Sequence, residues 1–253
     1  MMPTGTTWQA KQRAAIAGPE EDPNVVITCA SPPCFAHELD PAYFGVPTWT
    51  EVRLWRQRQR VALIEQRLAI PSAERATRDG ALTRLIHDAL PDLAGKRVGV
   101  YWPFKGEYDP RPLMRALHAE GVRLALPVVV KKASPLLFRA WHPGERLVPG
   151  VWNIPVPATG DAVTPDVLLI PLVGFDAGGY RLGYGGGYYD RTLAALSPRP
   201  LAIGLGFAFS QLPSIHPQPH DVPMNLIITE GAVLQHGEVG APASHRANTA
   251  EAP

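Results

Sequence analysis

Between residues 49 and 234, segments with apolar residues at helical spacing alternate with short unbroken apolar runs. Thr50 can cap a helix that runs from Glu51 to about Ile70 and stops at Pro71. Ser72 can cap a second, carried from Arg75 to Leu90 before Pro91. RVGVYWPF (97–104) predicts a strand, and RPLMRALHAEG (111–121) a helix closed by Gly121. LALPVVV (124–130) predicts a strand, LLFRAW (136–141) a short one, and VLLIPLVGF (167–175) a buried one. YYDRTLAAL (188–196) predicts a helix, and LAIGLGFAF (201–209) and NLIITE (225–230) the last strands.

Unbroken apolar strands separated by helices imply an α/β fold: a mainly parallel sheet with helices on both faces, three layers in a single domain. In open sheets of this class, ligands sit beyond the C-terminal ends of the strands. That directs attention to 102–109, 174–190 and 207–221.

The flanks read differently. Residues 1–48 hold seven prolines (Pro3, Pro19, Pro23, Pro32, Pro33, Pro41 and Pro47) and few periodic apolar positions, so they predict an N-terminal extension with no core of its own. Residues 235–253 lack aromatics, Leu and Ile, and predict a disordered tail. The domain therefore occupies 49–234. Lys and Arg number 24 against 23 Asp and Glu, a net charge of +1, which argues against a general nucleic-acid face. No apolar run is long enough to cross a bilayer, and the N-terminus lacks the apolar core of a secretory signal. The expected compartment is the cytoplasm, with no membrane partner, and nothing demands more than a monomer. Two cysteines cannot build a disulfide framework. Cys29, Cys34 and His37, with Glu38, are zinc-type ligands at a spacing that matches no known zinc pattern, and a proline-rich arm is the simpler reading.

The densest chemistry lies in GFDAGGYRLGYGGGYYDR (174–191). Gly183, Gly185, Gly186 and Gly187 follow an apolar strand and open a helix, and free backbone N–H groups at such a place cradle anions. Arg181 and Arg191 add positive charge, and Asp176 and Asp190 offer carboxylates to a divalent metal. The loop has neither the P-loop ending nor the third glycine of a dinucleotide fingerprint, since Tyr188 stands there. On the first helix, Arg53, Arg56, Arg60 and Arg67 form one stripe beside an apolar stripe of Leu54, Val61 and Leu68. Such a stripe is either a solvated face or a set of phosphate or carboxylate ligands. Glu107, just past a strand end, can accept hydrogen bonds from an amino-substituted heterocycle, Trp152 offers a flat face, and Asp221 can complete a metal site.

RLGYGGGYYDR (181–191), GEYDPRPL (106–113), LVPGVWNIPVP (147–157) and PHDVPMNLIITE (219–230) together resemble the 5-formyltetrahydrofolate cyclo-ligase family, over roughly 50–232. The resemblance implies a reaction in which ATP and Mg2+ convert 5-formyltetrahydrofolate into 5,10-methenyltetrahydrofolate, ADP and phosphate. It implies ATP-binding roles for Arg56, Arg60, Arg181, Gly183, Tyr184, Gly185, Gly186, Gly187, Tyr188 and Tyr189. Arg181 and Tyr188 would be catalytic. Trp102, Glu107, Trp152 and Tyr188 would meet the reduced folate, and Asp190 and Asp221 the magnesium. Arg56 stands where the family typically has Lys, and Tyr184 and Gly186 stand where some members are basic. A non-catalytic folate or nucleotide binder, and an ATP-dependent ligase or kinase for another small molecule, remain the alternatives.

Overall fold

The structure, a computed structural model, describes residues 47–90 and 93–236. Cys29, Cys34 and His37 lie outside them, as does nearly all of both flanks. Four helices are present among the described residues: α1 (Trp49–Leu68), α2 (Ser72–Ala89), α3 (Arg111–Ala119) and α4 (Tyr188–Ala195). None is long and apolar enough to cross a membrane. Six strands match the predicted runs, β2 starting one residue early: β1 (Arg97–Gly99), β2 (Arg123–Val128), β3 (Leu137–Ala140), β7 (Val167–Pro171), β10 (Leu201–Leu205) and β12 (Leu226–Ile228). The connecting segments add β4 (Leu147–Pro149), β5 (Pro155–Pro157), β6 (Ala162–Val163), β8 (Gly174–Asp176), β9 (Arg181–Leu182), β11 (Gln211–Leu212) and β13 (Val233–Gln235).

An eight-stranded sheet has the order β13-β12-β10-β7-β1-β2-β3-β6. Its middle, from β12 to β2, is parallel throughout, and β13, β3 and β6 add antiparallel edges. The pleat sorts side chains strictly. Val98, Leu124, Leu126, Leu169, Ile203, Leu205, Leu226 and Ile228 join one core with Leu82 and Ile86 of α2 and Leu113, Met114 and Leu117 of α3. Ala125, Leu168, Ile170, Ala202 and Ile227 face the other way, toward Leu193 of α4. The sheet therefore lies between two apolar layers, as the unbroken apolar runs require.

Local signals met mixed outcomes. Gly121 closes α3 at φ +83°, its N–H donating to His118 O while Val122 N donates to Leu117 O. Thr50 sits inside α1 rather than capping it, and α2 starts at Ser72 behind Pro71 without a side-chain cap. The run 167–175 is not one strand. Pro171 has no N–H to donate; Leu172 N still reaches Leu205 O, and Val173 N turns to Leu182 O, so the chain changes sheets there. The run 201–209 ends as a strand at Leu205 and turns through a 3-10 segment at Ala208–Ser210. Gln235 closes β13, so the ordered domain extends into the segment predicted as tail.

α1 docks in an unusual way. Its buried apolar side chains are Val52 and Leu63, while Leu54, Val61 and Leu68 remain about half exposed. Two such side chains supply roughly 1.5–3 kcal/mol each. The arginines contribute on a similar scale, at about 1.5–3 kcal/mol per charged hydrogen bond. Arg56 donates to Ile215 O and His216 O, Arg60 to Gly183 O, and Arg67 to Lys105 O and Leu172 O. The stripe is thus neither a solvated face nor purely a ligand set. Arg56, Arg60 and Arg67 fasten the helix to three loops and to the β7–β8 link, while Arg53 stays exposed.

Candidate active site

Those three loops line a cleft of about 460 Å³ beyond the C-terminal ends of β1, β2 and β7. Arg56, Arg60, Trp102, Glu107, Trp152, Arg181 and every residue from Leu182 through Asp190 border it, as does Asp221. The residues expected to meet ATP, the folate and magnesium thus border one cavity, whereas Asp176 and Arg191 do not line it.

Two carbonyls of the glycine loop are held by arginines. Gly183 O accepts from Arg60 Nε at 2.7 Å, and Gly186 O accepts from Arg191 Nη1 at 2.7 Å. The N–H groups of Gly183 through Gly187 enter no backbone hydrogen bond among the described residues, and α4 begins directly behind them. Gly185 has φ +90°, which an L side chain resists. Unused donors at a helix start form an anion site. Arg60 reinforces it. Its Nε holds the loop, no described acceptor takes its Nη1 or Nη2, and burial, with Arg56 beside it, holds its pKa below the ordinary arginine value. A partly desolvated cation with unused donors favours an arriving anion.

Arg181 and Asp190 are paired to each other, Nη1 to Oδ1 and Nη2 to Oδ2, and Asp190 Oδ1 also accepts from Val222 N. Asp221 Oδ2 accepts from Arg56 Nη2 at 2.5 Å and from Gln218 N at 2.8 Å. Asp190 and Asp221 are thus each held by an arginine. Asp176 accepts from the N–H groups of Gly178, Tyr180 and Ile215, so it shapes the β8–β9 turn instead of offering a metal ligand. Among the described residues no group of three or more His, Cys, Asp and Glu converges on a metal position.

The opposite wall is aromatic. Trp102 packs edge-on to Trp141 with centroids 6.1 Å apart. Trp152, 59% exposed, stands edge-on to Tyr188 at 6.1 Å. It occupies the tip of the β4–β5 hairpin, where it and Asn153 both have positive φ, 55° and 60°. Tyr189 lies under the Arg181 guanidinium at 5.8 Å, and burial raises its hydroxyl pKa.

Glu107 is 5% exposed and borders the cleft. Its Oε2 accepts from Phe104 N at 2.9 Å and its Oε1 from the Tyr184 hydroxyl at 2.8 Å. Burial pushes its carboxyl up to about 7, against the lowering effects of Arg67, the Tyr184 hydroxyl and the Phe104 N–H. Arg67, only 3% exposed, donates to the same Tyr184 oxygen at 2.7 Å. Sequence reasoning placed Arg67 in the arginine stripe but gave it no part in the site. Its signal was the periodicity itself, one heptad beyond Arg60 on the face that meets the loops.

A family model described as the 5-formyltetrahydrofolate cyclo-ligase family matches residues 52–230. The 5-formyltetrahydrofolate cyclo-ligase of Escherichia coli strain K12 is 33% identical over 177 residues, covering 67% of this chain and 97% of that protein. The 5-formyltetrahydrofolate cyclo-ligase of Mycolicibacterium smegmatis is 31% identical over 182 residues, covering 67% and 91%. The NMR structure of Aquifex aeolicus 5,10-methenyltetrahydrofolate synthetase matches with a TM-score of 0.64 at 26% identity, over 76% of this chain and 98% of that one. The structure of a Mycoplasma pneumoniae 5,10-methenyltetrahydrofolate synthetase matches at 0.58 and 25% identity, over 69% and 98%.

Proposed function

The chain belongs to the 5-formyltetrahydrofolate cyclo-ligase family, and from that premise we propose that it uses ATP to close 5-formyltetrahydrofolate into 5,10-methenyltetrahydrofolate, releasing ADP and phosphate. One observation carries the reading: a loop with unused backbone donors and a buried carboxylate border the same cleft.

The chemistry needs both. A formyl oxygen leaves poorly. Transfer of the γ-phosphoryl group to it gives an iminium phosphate. N10 of the folate then attacks the former formyl carbon, N10 loses its proton, and phosphate departs with the oxygen. The protein's task is to place the γ-phosphate beside the formyl oxygen and to balance charge as it moves.

In this reading the N–H groups of Gly183 through Gly187 and the open Nη1 and Nη2 of Arg60 hold the phosphates. Arg181, anchored by Asp190 and lying over the Tyr189 ring, adds positive charge at the start of α4. Arg56, fixed to Asp221, sits one turn before Arg60 on the same helix. Glu107 receives N–H groups of the pterin, while Trp102, Trp152 and Tyr188 enclose the folate ring. Magnesium suits this donor set as an ion carried by the nucleotide. It keeps several waters and takes only one or two carboxylates. Asp190 and Asp221 each retain lone pairs beyond those given to their arginines. When bound, the ion neutralises phosphate charge. We place the enzyme in the cytoplasm as a monomer.

The test is direct. Purified full-length chain with MgATP and 5-formyltetrahydrofolate should yield the methenyl product, followed by its absorbance, and ADP in equal amounts. Chelation of magnesium should stop both. ATP binding with neither product would favour a non-catalytic binder.

A further inference from the structure

The sequence assigns Tyr184 to the nucleotide and Glu107 to the folate, yet one hydrogen bond joins them. The Tyr184 oxygen lies 2.7 Å from Arg67 Nη2 and 2.8 Å from Glu107 Oε1. Arginine only donates, so the hydroxyl accepts from Arg67, and its single proton goes to the carboxylate. Phe104 O, at 3.4 Å, is a distant second acceptor. Arg67 is itself fixed at Nε by Lys105 O and at Nη1 by Leu172 O; Arg67 and Glu107 are buried, while Tyr184 is 37% exposed. The Phe104 ring, 5.7 Å from that of Tyr184, packs against the loop from the Glu107 side.

The geometry points to Tyr184 as a positioning residue: its hydroxyl, set by Arg67, fixes the Glu107 carboxylate toward the folate, so that the loop serving the nucleotide also shapes the folate pocket. This rests on the folate reading of Glu107. It differs from that reading in making Tyr184 act on the folate rather than on ATP. A charge at Glu107 is poorly solvated, and burial disfavours it. The groups facing it are Arg67 from α1, Tyr184 from the glycine loop, the Phe104 N–H from its own loop, Tyr101 following β1 and Tyr189 of α4. Of these, only Arg67, Tyr184 and the Phe104 N–H favour the ionised form that accepts pterin N–H groups.

The variant is Tyr184→Phe in the full chain. It keeps the partly exposed ring and removes only the relay atom. Calorimetric titration with 5-formyltetrahydrofolate at pH 7.5 should show affinity weakened about tenfold, the scale of one lost hydrogen bond to a charged group. Affinity for a non-hydrolysable ATP analogue should stay within about twofold. A carbon-13 NMR titration of the Glu107 carboxyl should move its midpoint upward. A folate change below about twofold, or an equal or larger loss for the ATP analogue, overturns the proposal. If the unaltered chain binds no folate, the folate reading fails on its own, and the carboxyl titration alone decides. An unchanged midpoint then removes the relay.

Discussion

Arg181 and Asp190 are joined by two parallel hydrogen bonds, each 2.9 Å long, with the arginine side chain 5% exposed and the aspartate 16%. This fork-to-fork contact fixes both groups at the start of α4. Removing one partner of a buried pair costs about 3–5 kcal/mol, because the other charge is left alone. Arg181→Met should therefore lower the melting temperature sharply, and Arg181→Met with Asp190→Leu should recover much of that loss. Turnover should stay at least a hundredfold down in both. Calorimetric melting beside the coupled ADP assay separates the two effects. Recovery of activity with recovery of stability would make Arg181 a structural residue only.

Glu107 gives a pH dependence of known sign. Burial raises its carboxyl from 4.5 to about 7. Between those values the folded chain keeps a proton that the unfolded chain has released, so stability falls as pH rises through the window. The full penalty, roughly 3 kcal/mol, is present above the folded value. Glu107→Gln removes the charge. Its melting temperature should match the parent near pH 4 and exceed it at pH 8, while kcat/KM for the folate falls at least tenfold. For the parent, kcat/KM should climb with pH through about 7 as the carboxylate forms. Parallel melting curves for the two proteins at all pH values would contradict the burial argument.

Gly185 lies at φ +90°, and an added Cβ would come 3.4 Å from the Arg60 guanidinium. The backbone strain of an L residue there is about 1–2 kcal/mol. Gly185→Ala should shift the loop and raise KM for ATP about tenfold, with KM for the folate changed far less. Steady-state kinetics with each substrate varied in turn checks the split.

Trp152 combines left-handed backbone, φ 55°, with 59% exposure. Little apolar burial is lost if it is removed, and glycine relieves the strain. Trp152→Gly should be as stable as the parent or more so, by up to about 1 kcal/mol, yet bind the folate more weakly. Chemical denaturation and folate titration give the two readings. A clear loss of stability would show that the indole is held for packing.

The sheet was legible because its strands are unbroken apolar runs, and Leu168, Leu169 and Ile170 need no context to be read as buried. What escaped the sequence was decided by partners distant along the chain. The break after Pro171 depends on Leu205 and Leu182 competing for successive N–H groups. The two-residue strands β6, β9 and β11 are too short for any periodicity to show. The cleft was legible as a set of positions, since the residues expected to meet ATP, folate and magnesium border it, although Asp176 and Arg191 do not. Its wiring was not. Nothing local shows that Asp190 faces Arg181, that Asp221 faces Arg56, or that Arg67 is buried under Tyr184. The last two pairings are set where α1 crosses its loops, and the first where α4 starts behind β9.

That crossing has a consequence for synthesis. α1 leaves the ribosome before any strand of the sheet, yet the carbonyl that receives Arg56 Nε follows 159 residues later. At about 5–20 residues per second, the helix waits roughly ten to thirty seconds for this anchor. During that interval Arg67 reaches Lys105 O after 38 residues and Arg60 reaches Gly183 O after 123, but Arg56 has nothing to grip. The nucleotide side of the cleft is therefore assembled last, from the oldest part of the domain, and a nascent chain stalled before residue 215 would carry most of the sheet and no working site.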